Sequence, residues 1–273
     1  MSADIRFDLH MHSAHSGDSE EAMESMIEEA VRKGLTGICF TEHLDEDFPE
    51  GDEDFDFSLD TDAYHEHFLE CRDRYEGKIR LFFGVEYGLQ PHLKERLGEY
   101  VRKYPFDMVI GSSHIVNGKD PYLPYYYEGR SEREAYLEYF ENVLECVRGF
   151  DDFDVYGHLD YVVRYGPNKD KYYSYNEYSD IISEILKTII DKGKGIEVNS
   201  GGFSHGLCHP NPREDVLKRY RELGGEVVTV GSDAHRAERI AYRFDDVRRI
   251  LTEAGFKHIT VFENRKPGFI NIV

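Results

Sequence analysis

The stretch Ile5-Arg6-Phe7-Asp8-Leu9-His10-Met11-His12 is a short β-forming run that closes on two histidines, and the helical pattern of Glu20–Lys33 follows it. A second run, Gly37–Thr41, leads into Glu42 and His43. This order of strand, helix and strand continues along the chain. Further strands are expected at Arg80–Glu86, Met108–Gly111, Val155–His158, Gly195–Asn199, Val227–Gly231 and Ile259–Phe262. Amphipathic stretches separate them at Tyr64–Tyr75, Leu93–Lys103, Glu132–Val147, Glu177–Lys192, Pro212–Leu223 and Asp246–Ala254. Glycines punctuate several helix ends, in Lys33-Gly34, Leu223-Gly224-Gly225 and Ala254-Gly255. Repeated βα units call for a parallel sheet covered by helices. Seven or eight of them, with no glycine-rich dinucleotide fingerprint, favour a closed or nearly closed α/β barrel over an open sheet. The 273 residues suit one such domain over residues 1–273, without a long linker or repeat.

Asp and Glu outnumber Lys and Arg by 54 to 33, a net charge of -21. Such a surface repels nucleic acid and anionic membranes. A small anionic substrate then binds only where the local charge is reversed, and metal ions reverse it. No stretch has the length of a membrane span, and the N-terminal residues lack a signal-peptide pattern, so a cytoplasmic protein is expected. The cysteines Cys39, Cys71, Cys146 and Cys208 form no CxxC pair and read as buried or incidental thiols. Cys208 beside His209 reads as a loop thiol, with a ligand pair as the alternative. The acidic run Asp45–Asp60 reads as a solvated loop, with a lid over a site as the alternative.

Polar clusters recur where each strand ends. His10 and His12 close the first strand, Glu42 and His43 the second, and Glu86 the third; His114 follows the fourth. Gly157-His158-Leu159-Asp160 closes the fifth, Glu197 and Asn199 lie on the sixth, and Gly231-Ser232-Asp233-Ala234-His235 closes the seventh. In a parallel barrel these ends open on one face, where active sites are built. Histidines and carboxylates without a convergent cysteine pair suit zinc, manganese or iron. A His-x-His pair on a strand points both imidazoles to one side, because side chains alternate.

The ordered set of His10-x-His12, Asp18, Thr41-Glu42-His43, Glu86, Ser113-His114, Gly157-His158 and Gly231-Ser232-Asp233-Ala234-His235 resembles the polymerase and histidinol phosphatase (PHP) superfamily. Within it, Phe40-Thr41-Glu42-His43, Gly157-His158-Leu159-Asp160-Tyr161 with Arg164-Tyr165-Gly166-Pro167, and Glu197-Val198-Asn199-Ser200 resemble histidinol-phosphate phosphatases. The resemblance spans Asp8 to about Pro267. It implies a distorted seven-stranded, TIM-like barrel and a centre of three divalent ions, whether zinc, iron or manganese. One ion would be held by His10, His12, Glu86 and Asp233; a second by Glu86, His114 and His158; a third by Asp18, His43 and His235. Three divalent ions carry about +6 and the carboxylates of Asp18, Glu86 and Asp233 return about -3, which leaves a pocket fit for a phosphate dianion.

The activity implied is hydrolysis of L-histidinol phosphate to L-histidinol and phosphate, a step of histidine biosynthesis, by a metal-bridging hydroxide attacking phosphorus in line. His43 or His235 could assist proton transfer. Asp160, beside His158, could donate the proton or orient a ligand. Arg164 is expected to clamp phosphate, since guanidinium binds it bidentately, and its removal would slow turnover without loss of metal. Asn199 and Ser200 either bind phosphate or cap a strand end. Related sequences often carry a further arginine in the loop that here reads Ser200–Gly206; His205, Arg236 or Arg239 could substitute for it. The tyrosines of Tyr122–Tyr127 either pack on the surface or stack on an imidazole-bearing substrate, whereas Tyr136, Tyr139 and Phe140 read as core. Competing readings are a phosphoesterase for another small ester or for nucleotides, and a metal-binding module without catalysis. An amidohydrolase would need a metal-bridging lysine that no strand end offers.

Overall fold

The computed structural model describes residues 4–49 and 56–273. Its first half runs β1 (Phe7–Met11), α1 (Met23–Arg32), β2 (Gly37–Leu44), α2 (Thr61–Arg74), β3 (Arg80–Gly88), α3 (Lys94–Lys103), β4 (Met108–Ser112) and α4 (Glu132–Gly149). The second half continues with β5 (Val155–Tyr156), α5 (Ser179–Asp191), β6 (Gly195–Asn199), α6 (Gly201–Ser204), α7 (Glu214–Glu222), β7 (Val228–Gly231), α8 (Phe244–Glu253), β8 (His258–Glu263) and β9 (Lys266–Asn271).

Strands β1 to β7 form one seven-stranded sheet in chain order, every neighbouring pair parallel. Nearly every residue in these strands is buried, as a parallel sheet covered by helices requires. The sheet curls into a nearly closed barrel. Among the described residues β1 and β7 share no ladder, only the Met11–Ala234 bridge at the rim. There His12 N donates to Ala234 O at 2.9 Å and Asp233 N to His10 O at 2.8 Å. Closure is therefore tightest where the histidines sit.

The strand at Ile259–Phe262 is present but is not an eighth barrel stave. It pairs antiparallel with β9, a strand the sequence pattern misses. Asn264 and Arg265 both adopt positive φ, 51° and 62°, and make the two-residue turn that reverses the chain. Pro267 and Gly268 weaken the strand signal of β9, yet an edge strand tolerates both. Strand β5 is shorter than expected, because His158 N leaves the ladder and donates to Glu197 Oε2 at 3.0 Å. Helix α1 begins only at Met23, because the preceding loop folds back through Ala14 N to Glu21 O at 2.8 Å.

Tyr136, Tyr139 and Phe140 lie in the core on α4, whose start is a reciprocal cap between Ser131 and Glu134. Cys39, Cys71 and Cys146 are buried free thiols and Cys208 is exposed. Among the described residues, no helix is long and apolar enough to cross a membrane.

Candidate metal centre

Three strand ends and two loops converge on Glu86, which is fully buried near the end of β3. Its Oε2 lies 3.0 Å from His10 Nε2, 3.6 Å from His12 Nε2 and 3.2 Å from His43 Nδ1. Its Oε1 lies 2.8 Å from His158 Nε2 and 3.3 Å from His114 Nε2, and accepts from Ser112 Oγ at 2.6 Å. One carboxylate thus divides two groups of imidazoles between its oxygens. Asp233 Oδ1 approaches His10 Nε2 and His12 Nε2 at 3.5 and 3.4 Å. Asp18 Oδ2 lies 3.0 Å from His235 Nε2 and 3.6 Å from His43 Nε2. All nine residues expected as ligands are therefore gathered on one rim.

The orientation of the rings is the more telling feature. His10 Nδ1 lies 2.6 Å from Glu197 Oε1, and His114 Nδ1 lies 2.8 Å from Asp45 Oδ1. His235 Nδ1 faces Asp233 O at 3.0 Å. Ser16 Oγ donates to Glu42 Oε2 at 2.6 Å, so its lone pairs accept from His12 Nδ1 at 3.1 Å and from His43 N at 3.0 Å. Each of these rings is held by an acceptor at Nδ1, which places the proton there and turns the Nε2 lone pair inward. The inward nitrogens then crowd one another: His10 Nε2 and His12 Nε2 are 3.1 Å apart, His114 Nε2 and His158 Nε2 3.4 Å. Asp18 Oδ1, His43 Nδ1 and His235 Nε2 are buried without a hydrogen bond among the described residues. Lone pairs gathered in this way fit shared cations. The ligand atoms of His10, His12 and Glu86, of His12, His43 and His235, of His10, His158 and Asp233, and of His43, Glu86 and His114 lie within 4.8 Å of one another.

Two backbone features make the approach possible. Asp233 sits in the left-handed region at φ 57°, a conformation aspartate tolerates better than most residues. A Cβ at Gly231 would stand 2.2 Å from His10 Cβ and 2.5 Å from Glu197 Oε1, so only glycine lets those two side chains meet.

Electrostatics follow the same geometry. Burial raises the cost of charge on Glu86, but His10, His114, His43 and His158 outweigh it and hold the carboxyl well below its usual range. Asp233 is likewise held low against burial, by His10 and Arg164. Burial would lower His10, yet Glu197, Glu86 and Asp233 raise it well above 6.5. His12 is lowered by burial and by His43 and His235. His235 is raised to about 9, with Asp18 overcoming burial.

A cavity of about 310 Å³ opens above these groups. Its polar wall holds Asp18, His43, Asp45, His114, Asp120, His158, Arg164, His205, Asp233 and His235, and its apolar wall Phe48, Phe57, Tyr122, Leu123, Tyr161 and Tyr165. His205 reaches it as expected, and burial lowers its pKa to about 4, so it faces the cavity neutral. Tyr122 also lines it, whereas Tyr126 and Tyr127 are buried.

Several expected substrate contacts lie elsewhere. Arg164 lines the cavity, but its Nε donates to Asn211 Oδ1 at 2.8 Å, one terminal nitrogen to Asp233 Oδ2 at 2.8 Å and the other to Asn199 Oδ1 at 2.9 Å. These bonds use three of the five guanidinium N–H groups and brace Asp233, while the side chain still lines the cavity. Asn199 is fully buried, accepts from Arg164 and Gly201 N, and does not reach the cavity wall. Ser200 is buried outside that wall too, at the start of α6. Asp160 faces away from it and accepts from Asn211 Nδ2 at 2.6 Å and Arg213 N at 3.0 Å. It orients the residue that holds Arg164. Arg239 is exposed, stacked over Tyr242, and Arg236 is exposed as well. Cys208 and His209 make no ligand pair with the centre: Cys208 is exposed and His209 Nδ1 bonds Pro210 O.

Asp45 is the functional residue the sequence reading missed. It lies in the acidic run read as solvated, and the spacing His43-x-Asp45 across the end of β2 was the available signal. Phe48 and Phe57, from the same run, also wall the cavity, whereas residues 50–55 lie outside the described residues, and with them the lid reading of the run as a whole. Asn211 carried no local signal at all.

The PHP domain family matches residues 8–201. The histidinol-phosphatase of Lactococcus lactis is 34% identical over 265 residues, 96% of each chain. A probable histidinol-phosphatase of Clostridium acetobutylicum is 35% identical over 259 residues, 95% of this chain and 97% of that one. The crystal structure of the Lactococcus lactis histidinol phosphate phosphatase, complexed with zinc, L-histidinol and phosphate, superposes with a TM-score of 0.88 at 33% identity, covering 97% of this chain and 99% of the other.

Proposed function

The chain belongs to the PHP domain family, and on that premise we propose that it is a metal-dependent phosphoric monoester hydrolase converting L-histidinol phosphate to L-histidinol and phosphate. One observation carries the reading. The relatives named histidinol-phosphatase match nearly end to end, and the nine residues gathered around Glu86 form a donor set suited to the zinc of the Lactococcus lactis structure. His10, His12, Glu86 and Asp233 would hold one ion, Glu86, His114 and His158 a second, and Asp18, His43 and His235 a third. His43 is close enough to Glu86 and His114 to join the second group instead. Divalent ions bound there supply a water activated at neutral pH and neutralise phosphate oxygens.

The protein's own groups do the rest. Glu197, Ser16 and Asp45 hold His10, His12 and His114 at Nδ1, so Nε2 is the nitrogen each ring would give to a metal ion. His10 and Arg164 keep Asp233 ionised, and Arg164 aims it. Phosphate would meet the metal ions and Arg164, the only arginine or lysine that lines the cavity among the described residues. Phe48, Phe57, Tyr161 and Tyr165 offer flat faces to an imidazole, and Asp45 and Asp120 offer negative charge to an ammonium. The net charge of -21 argues against nucleic acid as substrate. A cytoplasmic site of action accords with histidine biosynthesis.

The test is a panel of small phosphate monoesters and one phosphodiester, assayed on metal-loaded enzyme with and without chelator. L-histidinol phosphate should lead by kcat/KM, and chelation should abolish phosphate release. A different monoester preferred over it would overturn the substrate assignment.

A further inference from the structure

A second group of metal-ligating atoms lies outside the barrel rim, between α1 and α2. Glu24 is in the first turn of α1. His67 and Cys71 are four residues apart on α2 and so share a face of that helix. The ligand atoms of Glu24, His67 and Cys71 all lie within 4.8 Å of one another. His67 Nε2 and Glu24 Oε2 are 3.4 Å apart. Two ligands on tetrahedral zinc, each about 2.0–2.2 Å from the ion, stand about 3.3–3.5 Å apart, so this edge already has the right length.

Two further observations point to a ligand. His67 Nδ1 lies 2.9 Å from His15 Nε2, which leaves its Nε2 as the nitrogen turned toward Glu24 and Cys71. The ring is thus bonded through Nδ1 while its Nε2 faces Glu24 Oε2, as the rim imidazoles face carboxylates. The Cys71 thiol is the second. Cys39 Sγ donates to Phe40 O and Cys146 Sγ to Leu89 O, but Cys71 Sγ, in a residue only 1% exposed, makes no hydrogen bond among the described residues. Arg74 engages Glu24 through Oε1 at 3.0 Å and leaves Oε2 to face His67.

We propose that Glu24, His67 and Cys71 form a peripheral divalent-metal site of zinc type, separate from the centre around Glu86. Thiolate, imidazole and carboxylate together favour zinc over magnesium or calcium. Binding displaces the thiol proton of Cys71 to solvent and forms a metal–sulfur bond, with no change of oxidation state. His15 belongs to the loop that also carries Ser13, Ser16 and Asp18, so the site clasps α1 and α2 beside the loop serving the centre.

Cobalt(II) titration of the metal-loaded protein tests this directly. None of the nine residues around Glu86 is a cysteine, so a near-ultraviolet thiolate-to-cobalt band reports the peripheral site alone. Wild type and Cys208→Ser should show the band and take up one further equivalent of metal. Cys71→Ser should abolish the band, and His67→Ala and Glu24→Gln, on partly exposed side chains, should weaken binding by about 10-fold or more. Phosphatase activity should stay within about twofold of wild type in all four variants. No band in wild type, a band that survives Cys71→Ser, or binding indifferent to both His67→Ala and Glu24→Gln would overturn the assignment. None of these outcomes depends on which phosphate ester the centre hydrolyses.

Discussion

Two clusters of histidine and carboxylate occupy the same protein, and they differ in how firmly each ligand is held. Around Glu86, four imidazoles are fastened at Nδ1 by Glu197, Ser16, Asp45 and the Asp233 carbonyl. Those fasteners come from several strand ends and are mostly buried. Between α1 and α2, one imidazole is oriented by His15, and both His67 and Glu24 remain about a third exposed, at 33% and 31%. The contrast teaches that ligand type alone does not make a permanent centre. Burial raises the cost of unpaired lone pairs, and fixed partners remove the alternatives by which the rings could escape that cost.

The largest expected effect comes from removing the shared carboxylate. Glu86→Gln should lower kcat/KM by on the order of 10³-fold and reduce bound metal, because both oxygens serve different groups. Metal analysis after gel filtration reads the second effect, and retention of full metal content would remove Glu86 from its central place. The peripheral cluster should keep its cobalt band in this variant.

Arg164→Ala comes next, and here the bracing of Asp233 adds a consequence that a phosphate clamp alone would lack. A phosphate clamp could be cut away with the metals left in place. A brace cannot: the Asp233 carboxylate would lose a buried partner, at a cost of about 3–5 kcal/mol in stability and about 10- to 100-fold in metal affinity. Denaturant unfolding and metal competition measure the two. Unchanged metal affinity with slowed turnover would leave only the clamp.

The smallest effect concerns pH in the metal-free protein. The pKa of His235 is raised from 6.5 to about 9, chiefly by Asp18 acting against burial. A raised pKa contributes stability that is complete below 6.5 and is lost as pH climbs through about 9. Metal-free protein should therefore melt at lower temperature as pH rises across that window, by a few degrees, about 2–4 °C per kcal/mol lost in a chain this long. Metal-loaded protein should lack this fall, since cations replace the protons. A melting temperature that rises with pH in metal-free protein would show that Asp18 and His235 are not paired as described.

Much of this was legible along the chain. Eight of the nine expected ligands sit at or just past a strand end, with Asp18 in the loop after β1, and strand ends announce themselves by β-branched and aromatic runs that stop at a polar residue. The role of Arg164 was not legible, because its partners Asn199, Asn211 and Asp233 lie 35, 47 and 69 residues away. Asp160 stood beside a ligand in sequence, but the short 3₁₀ turn that begins at Tyr161 takes its side chain away from the cavity and toward Asn211. Strand β9 was missed because its pattern is broken by Pro267 and Gly268, and only its pairing with β8 makes it a strand.

Local chemistry in the sequence determined the barrel and the inventory of donors, for hydrophobic period and residue type are properties of short windows. Which oxygen of Glu86 meets which ring, which nitrogen of each imidazole turns inward, and which neighbours Arg164 braces were decided by the tertiary structure alone. Those outcomes depend on distances of about 3 Å between groups brought together by strand curvature and closure, and no window of sequence contains them.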